Sequence, residues 1–242
     1  MKKSLLALCA IALVLVSCNQ NPKDEPDSGK GRTDISSILT IGQTAYLDSL
    51  EYDGSGRVVK ALTFAVEDEE LADLLGTVSY TYSDGSIERS VSGTKTVYTI
   101  GKDKLITKFS IGDRSVDLEY DSDGHLVKCG DITYTWKDGD IAVTSEGYAY
   151  TYSNVENPGY WPEEFPGTDK WLYRKGLFGK LPKHLPASWK MEDKANSVSH
   201  QFSCEYELDG GALVECDMTA IHTTGSTPSI SEYRITINWK KY

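Results

Sequence analysis

The sequence predicts an all-β protein: an antiparallel meander of short hairpins forming a curved sheet or barrel, with one irregular, partly helical insertion. Three observations carry this reading. A hairpin phrase, an aromatic residue followed by a glycine turn and an aliphatic residue, recurs five times: "LEYDGSGRVV" from Leu50, "YTYSDGSIER" from Tyr80, "LEYDSDGHLV" from Leu118, "YTWKDGDIAV" from Tyr134 and "CEYELDGGALVEC" from Cys204. Apolar and polar residues alternate with period two through the flanks, as strands with one buried face require. One stretch, 154–196, abandons the alternation for Pro, Gly and aromatic residues.

Residues 1–17 read as a signal peptide. Lys2 and Lys3 precede a short apolar run, Leu5 to Val16, too short to span a bilayer comfortably. "LVSC", Leu15 to Cys18, resembles the lipobox of bacterial lipoproteins, which implies cleavage before Cys18 and acylation of its thiol. Acyl chains would then hold the protein to a membrane leaflet without a transmembrane helix. Residues 18–36 carry no run of apolar residues able to build a core and read as a flexible tether. Within it Lys23-Asp24-Glu25 resembles the acidic export signal of some gut-bacterial surface lipoproteins but sits later than the usual pattern. The expected location is the cell envelope, lipid-anchored at the outer membrane, with the surface and periplasmic sides both open. Removing Lys2 and Lys3 takes the formal charge from −11 to −13. A chain this acidic, with no basic stripe, is a poor nucleic-acid binder.

Residues 37–242 are enough for a single β-rich domain. In "YTYSDGSIER" a two-residue type I′ turn at Asp84-Gly85 predicts Tyr82 opposite Ile87, Tyr80 opposite Arg89 and Val78 opposite Val91. The same turn at Asp138-Gly139 predicts Trp136 opposite Ile141 and Tyr134 opposite Val143. Longer loops with Gly56 and Gly124 left-handed set Tyr52 opposite Val58 and Tyr120 opposite Leu126. Each hairpin thus sets an aromatic ring against an aliphatic side chain across the ladder. "VEDEELADLLG" from Val66 is the best helix candidate, acidic at its start with Gly76 past its end. "TKTVYTI", "KLITKFSI", "SVDLEY", "YAYTYS" and "EYRITINWK" supply further strands of the meander. The stretch 154–196 reads as a long connection with short helical turns, packed on or into the sheet. In the last hairpin an odd loop centred on Gly210 predicts Cys204 opposite Cys216. A disulfide there and a pair of buried free thiols both remain open, with Cys129 as a competing thiol.

Two resemblances follow from these residues. "YDGSGRV" and "YDSDGHL" are similar to the hairpins of YD repeats. The lipobox, tether, repeated "YTY-DG" hairpins and "GLFGKLPKHLP" (Gly176 to Pro186) together resemble an uncharacterised family of Bacteroidota lipoproteins, a domain of unknown function described as having a porin-like fold. That resemblance implies a curved or barrel-like antiparallel sheet, and no activity. A membrane-spanning barrel needs strands of about 9–11 residues with an apolar outer band. The strands here read as shorter, with Glu, Lys, Arg and Ser on their second faces, so a barrel standing off the membrane on a lipid anchor is expected.

No catalytic residues, metal site or cofactor emerge. His125, His184, His200 and His222 form no metalloprotease pattern, and there is no nucleophile elbow or phosphate loop. Glu163-Glu164 have no second feature marking a glycosidase pair. "DSDG", Asp121 to Gly124, lacks the distal Glu of a calcium loop. The aromatics of the irregular stretch are the best lead: Tyr160, Trp161, Trp171 and Tyr173, alongside Phe165, Trp189, Asp169 and Arg174. They form either a binding platform for a glycan or protein ligand, or rings that plug the concave face of the sheet. The leading reading is a non-catalytic binding protein. The alternatives are an assembly component pairing through its sheet edge, and a barrel holding a lipophilic ligand.

Overall fold

All five hairpin turns are used, and each strand pairs with its neighbours in sequence until the last strand meets the first. The computed structural model describes residues 34–162, 167–193 and 196–240; Cys18, the signal segment and most of the tether lie outside them. The strands are β1 (Ile35–Ile41), β2 (Ala45–Tyr52), β3 (Val58–Glu67), β4 (Glu70–Ser83), β5 (Ser86–Val91), β6 (Thr94–Ile100), β7 (Ile106–Ile111) and β8 (Arg114–Tyr120). They continue as β9 (Leu126–Cys129), β10 (Ile132–Lys137), β11 (Asp140–Thr144), β12 (Ala149–Glu156), β13 (His184–Asp193), β14 (Val198–Asp209), β15 (Ala212–Thr224) and β16 (Thr227–Trp239). Antiparallel pairing of β1 with β16, centred on Ile38 opposite Ile237, closes the barrel. Among the described residues the first strand begins at Ile35, slightly before the expected boundary at 37.

Because the strands alternate in direction, the turns fall on two rims. One rim carries the turns after odd-numbered strands. The other, called here the lower rim, carries the glycine turns of the hairpin phrase and the long connection from β12 to β13. Asp34 and Lys240 also meet there, through a bond from the Lys240 amide to the Asp34 carbonyl at 2.7 Å.

The predicted registers hold at Tyr82–Ile87, Tyr80–Arg89, Val78–Val91, Tyr120–Leu126, Tyr52–Val58 and Trp136–Ile141. The turn at Asp138-Gly139 is the mirror-image type, with φ of 56° and 89°; at Asp84-Gly85 only the glycine takes positive φ. Two registers differ from expectation. A shift between Thr135 and Trp136 sets Tyr134 opposite Thr144 rather than Val143. In the β14–β15 hairpin both Gly210 and Gly211 are left-handed, which makes a two-residue loop. A bulge at Glu207–Leu208 then moves Tyr206 opposite Cys216 and Cys204 opposite Met218. Counting from the sequence takes the loop as odd and misses the bulge, and both shift the register.

The helix expected from Val66 is a hairpin. Asp68 and Glu69 both take positive φ and join β3 to β4. The spacing of Leu71, Leu74 and Leu75 imitates a helical stripe, yet Leu74 and Leu75 are 53% and 63% exposed. A helix here would leave the edges of β3 and β5 unpaired. Ladder pairing therefore wins, and two register shifts in β3–β4 absorb the leucines.

Alternation puts Ile38, Val58, Ala61, Tyr80, Ile87, Tyr98, Leu118, Tyr134, Ile141, Phe202 and Ile235 inside. Outside stand charged cross-strand pairs: Lys60–Glu51, Lys95–Glu88, Lys128–Glu119 and Arg234–Asp217. Six strands reach ten residues or more, longer than expected. Strand length alone would allow a membrane crossing, but the outer charges do not make a lipid-facing band.

The repeated aromatic has a second role. At the lower rim Tyr52, Tyr82, Tyr120, Trp136, Tyr152, Tyr206 and Trp239 each donate, through hydroxyl or indole N–H, to a backbone carbonyl near the start of the preceding strand. The acceptors are Ile35, Val58, Ile106, Leu126, Ile141, Pro186 and Leu213. The barrel is thus eight two-stranded units, seven of them cross-tied in the same way. In the β5–β6 unit Ile100 takes the aromatic's place, and its amide bonds the Gly85 carbonyl instead.

A ring of sixteen strands is too wide for wall side chains alone to fill. The connection between β12 and β13, residues 157–183, fills it, within the broader 154–196 expected. Tyr160, Trp161, Trp171, Leu172, Tyr173 and Phe178 are all buried in the common core. The segment then runs along the lower rim and docks on its turns. Leu177 O accepts from Ile106 N, Lys180 N donates to Gly124 O, and Lys183 N donates to Gly139 O. Two hairpin-phrase glycines thus give their carbonyls to "GLFGKLPK". Gly179 has no room for a Cβ, which would stand 2.6 Å from Gly124 O, and its φ is 96°.

Candidate functional site

Inside the barrel the segment makes one turn of helix, α1 (Lys170–Arg174). Five residues cannot hold a helix alone, and side-chain ties to the wall hold this one. Asp169 is the N-cap, accepting from Trp171 N and Leu172 N. Its buried carboxylate also accepts from Tyr80 Oη at 2.9 Å and pairs with Arg89 at 2.8 Å. Burial, then the Asp169 charge, pushes the Tyr80 phenol pKa far up. Lys170 reaches Asp48 on β2 at 2.8 Å, and Thr63 Oγ1 donates to the same carboxylate at 2.6 Å. Lys175, just past the helix, pairs with Asp34.

Arg174 is held differently. Its Nη2 donates to Trp161 O, and its guanidinium lies 4.9 Å from the centroids of both Tyr160 and Trp171. Nε and Nη1 are shielded from solvent and have no hydrogen-bond partner among the described residues. Burial pulls the Arg174 pKa down.

Two cavities meet at this side chain. The smaller, about 180 Å³, is lined by Asp34, Leu50, Tyr52, Trp171, Arg174 and Lys175, among others. The larger, about 510 Å³, lies between α1 and the wall, where Thr40, Tyr46, Asp48, Tyr233 and Met218 meet Tyr160, Lys170 and Arg174. Lys170 keeps 29% of its side chain exposed, so solvent reaches this space.

The structure brings the four predicted platform residues together but not at the surface. Tyr160, Trp161, Trp171 and Tyr173 are at most 3% exposed. Trp161 packs edge-on to Tyr173 and against Tyr150. They are the packing of the plug, and no exposed platform exists at them. Tyr160 alone of the four also lines the larger cavity. Cys129, Cys204 and Cys216 are free and buried. Cys216 stands diagonally across the ladder from Cys204, and the neighbouring Cys204 thiol, with burial, pushes its pKa far up. The expected opposition of Cys204 and Cys216 fails through the two-residue loop and the Glu207–Leu208 bulge, each of which shifts the register by one residue.

Asp121, Asp123 and His125 place three potential metal ligands within 4.8 Å of one another. The Asp121 oxygens are already used, by Asp123 N, His125 N and His125 Nδ1, which makes this a capped turn. His125 stacks on Trp136.

Sequence reasoning missed Tyr46, Asp48, Lys170 and Tyr233. One signal was available: Asp48 shares the inward phase of β2 with Tyr46, Leu50 and Tyr52, and an acid in that phase needs a partner inside.

No protein-family model matches the chain, and no curated protein sequence does. Solved structures do share its fold. A porin-like protein from Bacteroides uniformis superposes with a TM-score of 0.65 at 14% identity, covering 86% of this chain and 97% of that one. A porin-like protein from Bacteroides vulgatus gives a TM-score of 0.54 at 14% identity, with 87% and 100% covered.

Proposed function

We propose that this protein is a non-catalytic binding barrel of the cell envelope, lipid-anchored through Cys18, which takes a glycan-sized ligand into its lumen. The observation that carries this is the cavity of about 510 Å³ beside α1, within the range of small-ligand sites. Its lining pairs tyrosine rings and hydroxyls, suited to sugar CH faces and hydroxyl groups, with a few fixed charges. Asp48, Lys170 and Arg174 make it a poor home for a lipophilic ligand. A lumen of this size does not admit a protein surface. Closure of β1 on β16 leaves no strand at an open edge of the sheet, which removes the basis for assembly through such an edge. The buried carboxylates Asp48 and Asp169 are each engaged by side-chain partners, an arrangement suited to holding a structure rather than exchanging protons.

Filling the cavity tests the reading. Met218 lines it, so Met218→Trp should abolish binding on a glycan array while the melting temperature stays near the parent value. Undiminished array binding by a folded Met218→Trp protein would remove the lumen as the site.

A further inference from the structure

Among the described residues the charges lining the larger cavity do not balance: Lys170 and Arg174 face a single carboxylate there, Asp48. That carboxylate is already committed, Oδ1 to Thr63 and Oδ2 to Lys170. Arg174 is left with one carbonyl, two flanking rings, and two nitrogens without hydrogen-bond partners among the described residues.

A guanidinium buried this way is costly. Its pairing groups are normally carboxylate, sulfate or phosphate, held through several N–H donors. Stability alone would favour an apolar residue of similar length, which could fill the same space between Tyr160 and Trp171 without desolvating a charge. Arg89, another arginine reaching into the lumen, has its carboxylate in Asp169. Among the described residues Arg174 has no acid of its own, and it forms part of the lining of both cavities.

We propose that Arg174, with Lys170, forms the recognition site for the anionic group of a small acidic ligand, a sugar ring bearing a carboxylate or sulfate. The anion supplies the missing counter-charge, and the rings and hydroxyls of Tyr46, Tyr160 and Tyr233 are left for the sugar. This rests on the lumen-binding reading above and narrows it to acidic ligands.

The test compares D-galacturonate with D-galactose, which differ in a carboxylate against a hydroxymethyl group, by isothermal titration into the folded barrel. Galacturonate should bind at least about tenfold more tightly, the worth of one charged hydrogen-bonded contact. Arg174→Met should remove that preference while the melting temperature holds or rises, because a buried cation with no carboxylate among the described residues has been replaced by an apolar side chain. Equal binding of the two sugars would overturn the anion site and leave lumen binding standing. Binding of neither would remove both. A large fall in melting temperature for Arg174→Met, with the galacturonate preference intact, would make Arg174 a structural tie to Trp161 and overturn the proposal. Arg174→Lys keeps the charge and covers the case in which Arg174→Met does not fold. It should weaken galacturonate by about tenfold through loss of the planar fork, and unchanged affinity there would also count against the site.

Discussion

The Tyr120 hydroxyl donates to the Ile106 carbonyl at 2.6 Å, tying the last inward ring of β8 back to the first residue of β7. Six other units carry the same tie, whereas the β5–β6 unit has Ile100 in its place. Tyr120→Phe keeps the ring and removes the bond, so it should lower stability by about 1–2 kcal/mol. Tyr52→Phe and Tyr82→Phe should behave alike in urea denaturation. Three phenylalanine variants as stable as the parent would mean that the ties contribute nothing.

Gly179 tests the docking of the insertion on the rim. Gly179→Ala sets a Cβ against the Gly124 carbonyl and forces an L side chain into a left-handed conformation. We expect a loss of about 2 kcal/mol or more. Gly54→Ala, where a Cβ meets nothing within 4 Å, should change little.

Trp161 and Trp171 test the plug. Each is buried among rings, so Trp161→Ala and Trp171→Ala should each cost about 3–5 kcal/mol. Near-parental melting temperatures would contradict the packing described here.

Cys129 gives a pH test. Burial pushes its thiol from an ordinary value near 9 up to about 11. The folded protein therefore holds this proton more tightly than the unfolded chain does. The resulting stability is complete below pH 9 and is lost as the pH rises from about 9 to about 11. Cys129→Ala should flatten that part of the stability profile in alkaline denaturation. An unchanged slope would show that the thiol is not the responsible group.

Anchoring is tested at Cys18. Cys18→Ser should move the protein from the membrane to the soluble fraction after a carbonate wash. A variant that stays with the membrane would refute the acyl anchor.

The hairpins were legible because glycine turns and period-two alternation are local signals. Six cross-strand pairs could be counted outward from the turns. Tyr134 and Cys204 could not: a bulge displaces each, and for Cys204 the loop is also one residue shorter than the odd loop expected. The leucines at 71, 74 and 75 misled for a related reason: ring closure demands a strand where local spacing suggests a helix. The cross-ties had a sequence trace in the choice of Tyr or Trp, never Phe, before the lower turns. Their acceptors, on the preceding strand, lay outside the hairpin being counted. The cavity was the least legible part. Asp48, Tyr233 and Arg174 are far apart in the chain and meet only when β16 closes on β1 and the insertion turns inward.

That closure also governs how the chain can reach its final form. Hairpins from β2 to β15 can zip in the order of synthesis, each beside the one before. β1 cannot complete its pairing until β16, made last, leaves the ribosome. Until then the nascent sheet keeps two open edges and an unsealed apolar interior, the features that invite pairing with other chains. Contacts such as Ile38 with Ile237 span nearly the whole sequence, the non-local pairing that slows folding. A chain with this topology has reason to stay unfolded, or chaperoned, until its C-terminal strand is available.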